Sequence, residues 1–480
     1  MLRNNYSHGM SVTANSFPTV TNCAFTNNGE RAVEGLALAA VPGFTNNTAT
    51  GNVGNFMSVT SATITAPLTI GSQSILEGAL MMSANLNVQP SGTLVVEQGV
   101  NFKFTAAYEV VVDGSMHLRG TSYEPIVFTD DADDSVAGDT NNNGPSIGSP
   151  TSWRGITILP TALYCPLEHV VIRYTGSAFV PALTCSSPQA SLRCLRADHA
   201  YDRGFVLNGL SSTPTNLVAW ACGGFGLHLV GGNFQVAHAT CAGNGTGIRR
   251  ENAWSGLVLN SNSYGNTTNF ANFGAGAQVA TSNGGFAGVN GNLNLNPQFL
   301  NQAQGDLHLG SSSPCLGNAE VLAAFFAQKD FDENSRLLDH ALIGLPLPDM
   351  GAFEYSPWNM TVTGVARPGS VITYTMTGPP AESLWVLGAL DGTTAIIPYG
   401  MLLSGAVPGQ SDQDPRLQPR PVLLADPREF QPLLVVRHSM TQLPRPAPRL
   451  DPLFCQLRRC DRLQPVPKLV AIDREQLATE

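Results

Sequence analysis

Through the first 300 residues the apolar positions come in short bursts separated by polar, glycine-closed gaps. Leu94-Val-Val-Glu-Gln-Gly-Val-Asn-Phe-Lys-Phe104, Glu109-Val-Val-Val-Asp-Gly114 and Pro125-Ile-Val-Phe-Thr129 are three such bursts. Others are Trp153-Arg-Gly-Ile-Thr-Ile158, Leu167-Glu-His-Val-Val-Ile-Arg-Tyr174, Asn216-Leu-Val-Ala-Trp220, Gly226-Leu-His-Leu-Val230 and Ser255-Gly-Leu-Val-Leu259. β-Branched and aromatic residues on alternate positions, closed by Gly or Asp, predict strands of about four to six residues with one side facing inward. Val321–Gln328 is the one segment whose pattern predicts a short helix.

Local echoes add a period. Phe25-Thr-Asn-Asn28 recurs at Phe44-Thr-Asn-Asn47, and Cys241-Ala-Gly-Asn244 is matched by Ser263-Tyr-Gly-Asn266. A spacing near 20 with Asn and Gly at fixed phases predicts stacked coils, one per repeat. Parallel strands about 4.8 Å apart should then line an apolar interior over residues 15–300. Asn22, Asn28, Asn244 and Asn266 are expected to form amide ladders from coil to coil. Exposed Tyr174, Trp220 and Trp254 offer faces for stacking on sugars, the alternative being packing inside the solenoid.

Composition narrows the function. Only 12% of residues are charged and the net charge is −10, so general attraction to nucleic acid or an anionic membrane is excluded. No apolar run reaches eighteen residues, so no membrane insertion by a helix is expected. Nine cysteines lack zinc-finger spacing. Cys222 and Cys241 are expected to stack at similar coil phases, and Cys185 and Cys194 are the pair best placed for a disulfide. The first coil begins by Asn22–Gly29 without an apolar leader, so missing N-terminal coils of the parent chain are expected.

The acidic stretch 130–152 interrupts the strands. Asp130, Asp131, Asp133 and Asp134 precede Asp139-Thr-Asn-Asn-Asn-Gly144. A hard cation such as calcium takes six to eight oxygens, which Asp139, Asn141 and Asn143 at alternating positions begin to supply. The loop is therefore either a structural calcium site or a solvated acidic turn. Asp330, Asp332 and Asn334 repeat the pattern more faintly and read as a plain turn. Asp198-His-Ala-Tyr-Asp-Arg203 is the one place where acid, base and cation crowd together. Asp198, His199 and Arg203 would serve a β-helix lyase if they converged with another carboxylate in an open groove, and otherwise form a structural ion pair.

Several of these segments together resemble the bacterial family of right-handed parallel β-helix surface proteins. They are the coil Pro18–Asn28, the strand Pro125–Thr129 before its Asp-rich loop, and the Trp153-Arg-Gly-Ile156 restart. The closing string Asn296-Pro-Gln-Phe299, Ser313-Pro314, Asp330–Arg336 and Asp349-Met-Gly-Ala-Phe-Glu-Tyr355 resembles the end of a choice-of-anchor domain. Pro314-Cys-Leu-Gly-Asn318 departs from the family pattern, which usually carries an Asp there. The resemblance implies a secreted or surface location. It also implies either a non-catalytic scaffold binding carbohydrate or a surface protein, or a polysaccharide lyase or glycoside hydrolase.

The resulting organisation is all-β. Residues 1–290 form parallel β-helix coils, 291–356 a terminal capping region, and 357–404 a small, incomplete antiparallel module. Residues 405–480 hold twelve Pro and ten Arg without apolar periodicity, and read as disordered or as translated out of frame.

Overall fold

The computed structural model describes residues 1–356 except 14–15, 177–178, 322–326 and 338–346, and beyond them the backbone of five strands between 359 and 439. The chain divides into units Met1–Tyr355 and Ser356–Glu480. In the first, parallel strands stack as a β-solenoid of about 12 turns.

Register follows the coil. On one face, Val33, Met57, Leu80, Phe102, Phe128, Ile172, Ala197, Ala219, Cys241 and Ser263 are successive ladder partners, all buried. A second face stacks Ala62, Leu86, Val110, Ile156, Leu183, Phe205, Leu227 and Ile248. Each side chain thus meets its equivalent in the neighbouring coil, and burial of these columns drives the stacking. Where the Asp-rich loop leaves, aromatic rings fill the interior: Phe102 stacks on Phe128 at 4.7 Å, and Phe104 on Trp153 at 4.3 Å with planes 3° apart.

The corners are equally regular. Tyr174, His199 and Ala221 take left-handed φ of 52–54°, and Gly243 and Gly265 continue the column. A second left-handed column holds His169, Cys194, Asn216, His238 and Asn260. The Cys241/Ser263 echo is a true stacking pair. The Phe25/Phe44 echo is not, because Phe25 pairs Ala49 and Phe44 pairs Val20. Phe-Thr-Asn-Asn encodes a corner rather than a phase: Asn27 and Asn46, its third residues, both sit near φ +53°.

Amide ladders form as expected at three of four positions. Asn5 donates to Asn28 (2.9 Å) and Asn28 to Asn52 (2.6 Å), and Asn244 donates to Asn266 (2.9 Å). Asn22 is a left-handed corner, and Asn47 does the bridging there, accepting from Cys23 N and donating to Val20 O. Cys185 and Cys194 are free thiols, so the expected disulfide does not form: Cys185 lies inside a strand and Cys194 in a corner of the next coil. Cys222 aligns with Asn244 and Cys241 with Ala219, so the two thiols are buried but not in phase.

The closing segment lies along the flank of the solenoid rather than over the last coil alone. A hairpin of Phe299–Asn301 with Asp306–Leu309 opens it. Gln302 O accepts from Trp220, Lys329 O from Asn216, Glu320 O from Asn260 and Met350 O from Asn262, so this strap spans several coils. Leu307, Ala352 and Phe353 bury Val218 and Ala242 on the outer side of the first face. Gly351, at φ 107°, runs so close to Thr240 and Asn262 that a Cβ would strike both side chains. The helix expected at Val321–Gln328 falls largely on residues outside those described.

In the second unit, Asn359–Thr363 pairs antiparallel with Val371–Thr377, and Thr394–Ile397 with Met401–Ser404. Leu433–Ser439 adds a third strand to Val371–Thr377, although it lies in the Pro/Arg-rich stretch. Its Leu-Leu-Val-Val run is a local strand former within a sequence that lacks periodicity. The rest of 405–480 lies outside the described residues.

Candidate functional site

The Asp-rich loop folds on its own carboxylates. Asp130 accepts from Ser149 N and Ser152 Oγ (both 2.7 Å), and Asp133 from Thr129, Ser135 and Arg173. Asp134 accepts from Ser146 N, and Asp139 from Asn143 N and Gly144 N. Burial and a hydrogen bond with Asp130 push Asp131 up to about 6. Fully buried Lys103 donates to Val136 O and Gly138 O, and burial lowers its pKa against the opposing pull of Asp133, Asp134, Asp131 and Asp130. Asn141 Oδ1 is buried without a partner, and the Asn143 backbone serves the Asp139 turn. Among the described residues no three of the loop's carboxylates converge on one point. Added calcium should leave the melting temperature unchanged, whereas Lys103→Met, which takes the ammonium from the part-buried Val136 and Gly138 carbonyls, should lower it. A calcium-induced rise abolished by Asp139→Ala would instead place calcium in the loop.

Asp198, His199 and Arg203 do not converge. Asp198 is 3% exposed, gripped by Arg196 Nε at 2.8 and 2.9 Å with Arg173 at 3.8 Å. His199 sits in the corner column between Tyr174 and Trp220, and burial lowers its pKa. Arg203 turns to Asp202 and lies 5.5 Å over Phe225. Arg173 and Arg196 therefore serve Asp198 where the sequence pointed to Arg203. The reason is coil register: Arg173 and Asp198 are direct ladder partners, and Arg196 is two residues from Asp198 on the same outer side. Gly148 of the acidic loop packs on the Tyr174 ring, and the strap's Gly305 O caps Arg196. The cluster ties loop, coils and strap together.

The strap carries two further clusters. His169, 3% exposed, meets Glu333 at 2.8 Å, with Arg193 and Lys329 also on Glu333. Burial disfavours the imidazolium, but Cys194 and Glu333 raise His169 to about 9. Burial likewise opposes charge on Glu333, yet His169, Lys329 and Arg193 pull it down to about 2. His308 lies between Asp306 (2.5 Å) and Asp332 (2.6 Å), which overcome burial and raise it to about 10. Its side chain is 40% exposed, so water screens that clamp. Asp330 accepts from Asp332 N and Asn334 N, a turn that uses its oxygens internally.

These shifts fix a pH window. Glu333 is depressed, so its contribution is full above about 4.5 and is lost as pH falls toward about 2. His169 and His308 are raised, so theirs is full below about 6.5 and is lost as pH rises through about 9 and 10. Protection of strap amides from hydrogen exchange, normalised for intrinsic rates, should peak between about pH 4.5 and 6.5. Protection that climbs steadily to pH 9 would refute this assignment.

Of the aromatics expected at the surface, Trp254 is fully buried, Tyr174 is 8% exposed, and Trp220 is half-buried with its indole nitrogen bonded to Gln302 O. The open rings are elsewhere. Phe179 (78% exposed) and Tyr201 (51%) flank a depression of about 330 Å³ completed by Asp202, Gly223 and Gly224. A side chain at 223 would collide with Tyr201 O, and one at 224 with the Asp202 carboxylate, so the glycines keep this floor low. Tyr201 and Asp202 belong to the same Asp198–Arg203 string that suggested catalysis; the corner at His199 sends them to a different side of the coil. A second depression, near 610 Å³, is lined by Asn4, Asn5, Tyr6, Asn27, Gly29 and Glu30.

No protein-family model matches the chain, and no match was found among the curated proteins or the solved structures. No helix among the described residues is long and apolar enough to cross a membrane.

Proposed function

We propose that the solenoid is a non-catalytic scaffold that binds carbohydrate at the Phe179–Tyr201–Asp202 ledge. The observation that carries this reading is the pair of open aromatic rings beside a carboxylate on a glycine floor. Aromatic faces pack against the C–H face of a pyranose, a carboxylate accepts from sugar hydroxyls, and about 300 Å³ is the lower end of ligand-site volume. Arg203 Nε lies 3.2 Å from the Asp202 carboxylate and offsets its charge. Weighing against a lyase or hydrolase, Asp198 is sealed by two arginines and His199 is wedged between rings.

A secreted or cell-surface setting in a bacterium, and adhesion through this ledge, rest on the sequence resemblance. Affinity electrophoresis through gels containing neutral or acidic polysaccharides tests the binding. Wild type should be retarded by at least one of them, Tyr201→Ala should run unretarded, and no unsaturated or reducing-end product should accumulate. Retardation that survives Tyr201→Ala and Phe179→Ala, or steady product release, would defeat the reading.

A further inference from the structure

Cys194 occupies a corner whose column is otherwise His169, Asn216, His238 and Asn260, all at φ 48–57°. Asn and His tolerate left-handed backbone and offer amide or ring hydrogen bonds there; a cysteine gains neither advantage. The strap places Glu333, itself at φ 71°, directly over this corner. The thiol sulfur, a ring nitrogen of His169 and a carboxylate oxygen of Glu333 all lie within 4.8 Å of one another. We propose that His169, Cys194 and Glu333 form a binding site for a thiophilic divalent cation of the zinc class, fastening the strap to two successive coils.

The chemistry fits such an ion better than a hard one. Thiolate and imidazole select zinc, cobalt or copper over calcium and magnesium. Bonds of about 2.0–2.3 Å to N, O and S place tetrahedral ligand atoms roughly 3.3–3.8 Å apart, so the cluster reaches this geometry with shifts of about 1 Å. The 2.8 Å His169–Glu333 hydrogen bond opens to admit the ion, and the His169 imidazolium and the Cys194 thiol each release one proton to solvent so that neutral imidazole and thiolate can ligate. Asp330 O, 3.7 Å from the sulfur, or a water reached past the half-buried Glu333 supplies the fourth position.

The outer contacts are those a metal site uses. Asn216 Nδ2 lies 3.4 Å from the sulfur and also donates to Lys329 O, while its Oδ1 accepts from Arg336, so its amide is fixed pointing at Cys194. Arg193 at 2.6 Å and Lys329 at 2.8 Å orient the Glu333 carboxylate from outside. Such partners hold ligands in place and commonly change metal affinity by about 10–100-fold.

Cobalt(II) titration of the chelator-stripped full chain tests the site. The expected result is a near-ultraviolet thiolate-to-cobalt charge-transfer band with visible bands of tetrahedral intensity, saturating at one equivalent and erased by zinc. Cys194→Ala and His169→Gln should lose the charge-transfer or tetrahedral bands, while Cys315→Ala keeps them. Glu333→Gln, a change that keeps the side chain's size at a partly exposed position, should weaken binding by about tenfold or more. Wild type without a thiolate band, a band that persists in Cys194→Ala, or an unchanged titration in Glu333→Gln would overturn the proposal.

Discussion

Arg336→Met should detach the strap at a cost of about 3–5 kcal/mol, because it leaves a buried carboxylate without its cation. Arg336 is fully buried; it donates to Glu354 at 2.7 Å, to Asn216 at 2.6 Å and to Ala352 O at 3.1 Å. One guanidinium thus satisfies a strap carboxylate, a strap carbonyl and a coil corner. The double variant Arg336→Met/Glu354→Leu should recover a large part of the loss, since replacing a whole buried pair by apolar groups is often near neutral. Thermal melts with hydrogen exchange on residues 299–309 check both. Equal destabilisation in single and double variants would show that the pair is not the cause.

Trp153→Ala should cost a similar amount, about 3–5 kcal/mol, by opening a cavity where the acidic loop re-enters the stack. Trp153 is fully buried between Phe104 and the next coil, and its indole nitrogen donates to Arg173 O at 2.9 Å. Coils of a solenoid pack chiefly on their neighbours, so the damage should centre on coils containing Phe104, Phe128 and Ile172. Exchange protection there should collapse while protection at Cys241–Ile248 persists. A uniform loss along the whole chain would mean that the solenoid unfolds as one unit.

The coil interior was legible in the sequence because strand alternation and burial act locally. The Cys241/Ser263 echo even fixed the register. The Phe25/Phe44 echo misled because two corners of the same kind need the same Asn at positive φ, whatever their phase. The strap was the part sequence reasoning could not place. Its contacts join residues up to 164 apart, such as Glu320 to Asn260 and Glu333 to His169, and no local pattern encodes them. For the same reason Trp220 read as exposed until Gln302 was seen to cover it. The ledge was partly legible: Tyr201 and Asp202 lay inside the charged string already singled out, but only the corner at His199 shows which way they face. Lys103 carried no signal, since a lone lysine between Phe102 and Phe104 reads as an outward strand position.

The most direct test of the account is isothermal titration of the wild-type chain and the Phe179→Ala/Tyr201→Ala double variant with oligosaccharides of whichever polysaccharide retards it in gels. The account predicts a saturable, exothermic isotherm for wild type, its loss in the double variant, and melting temperatures that agree closely because both side chains are exposed. An isotherm of equal affinity in the double variant, or none for wild type with any of the panel, would contradict it.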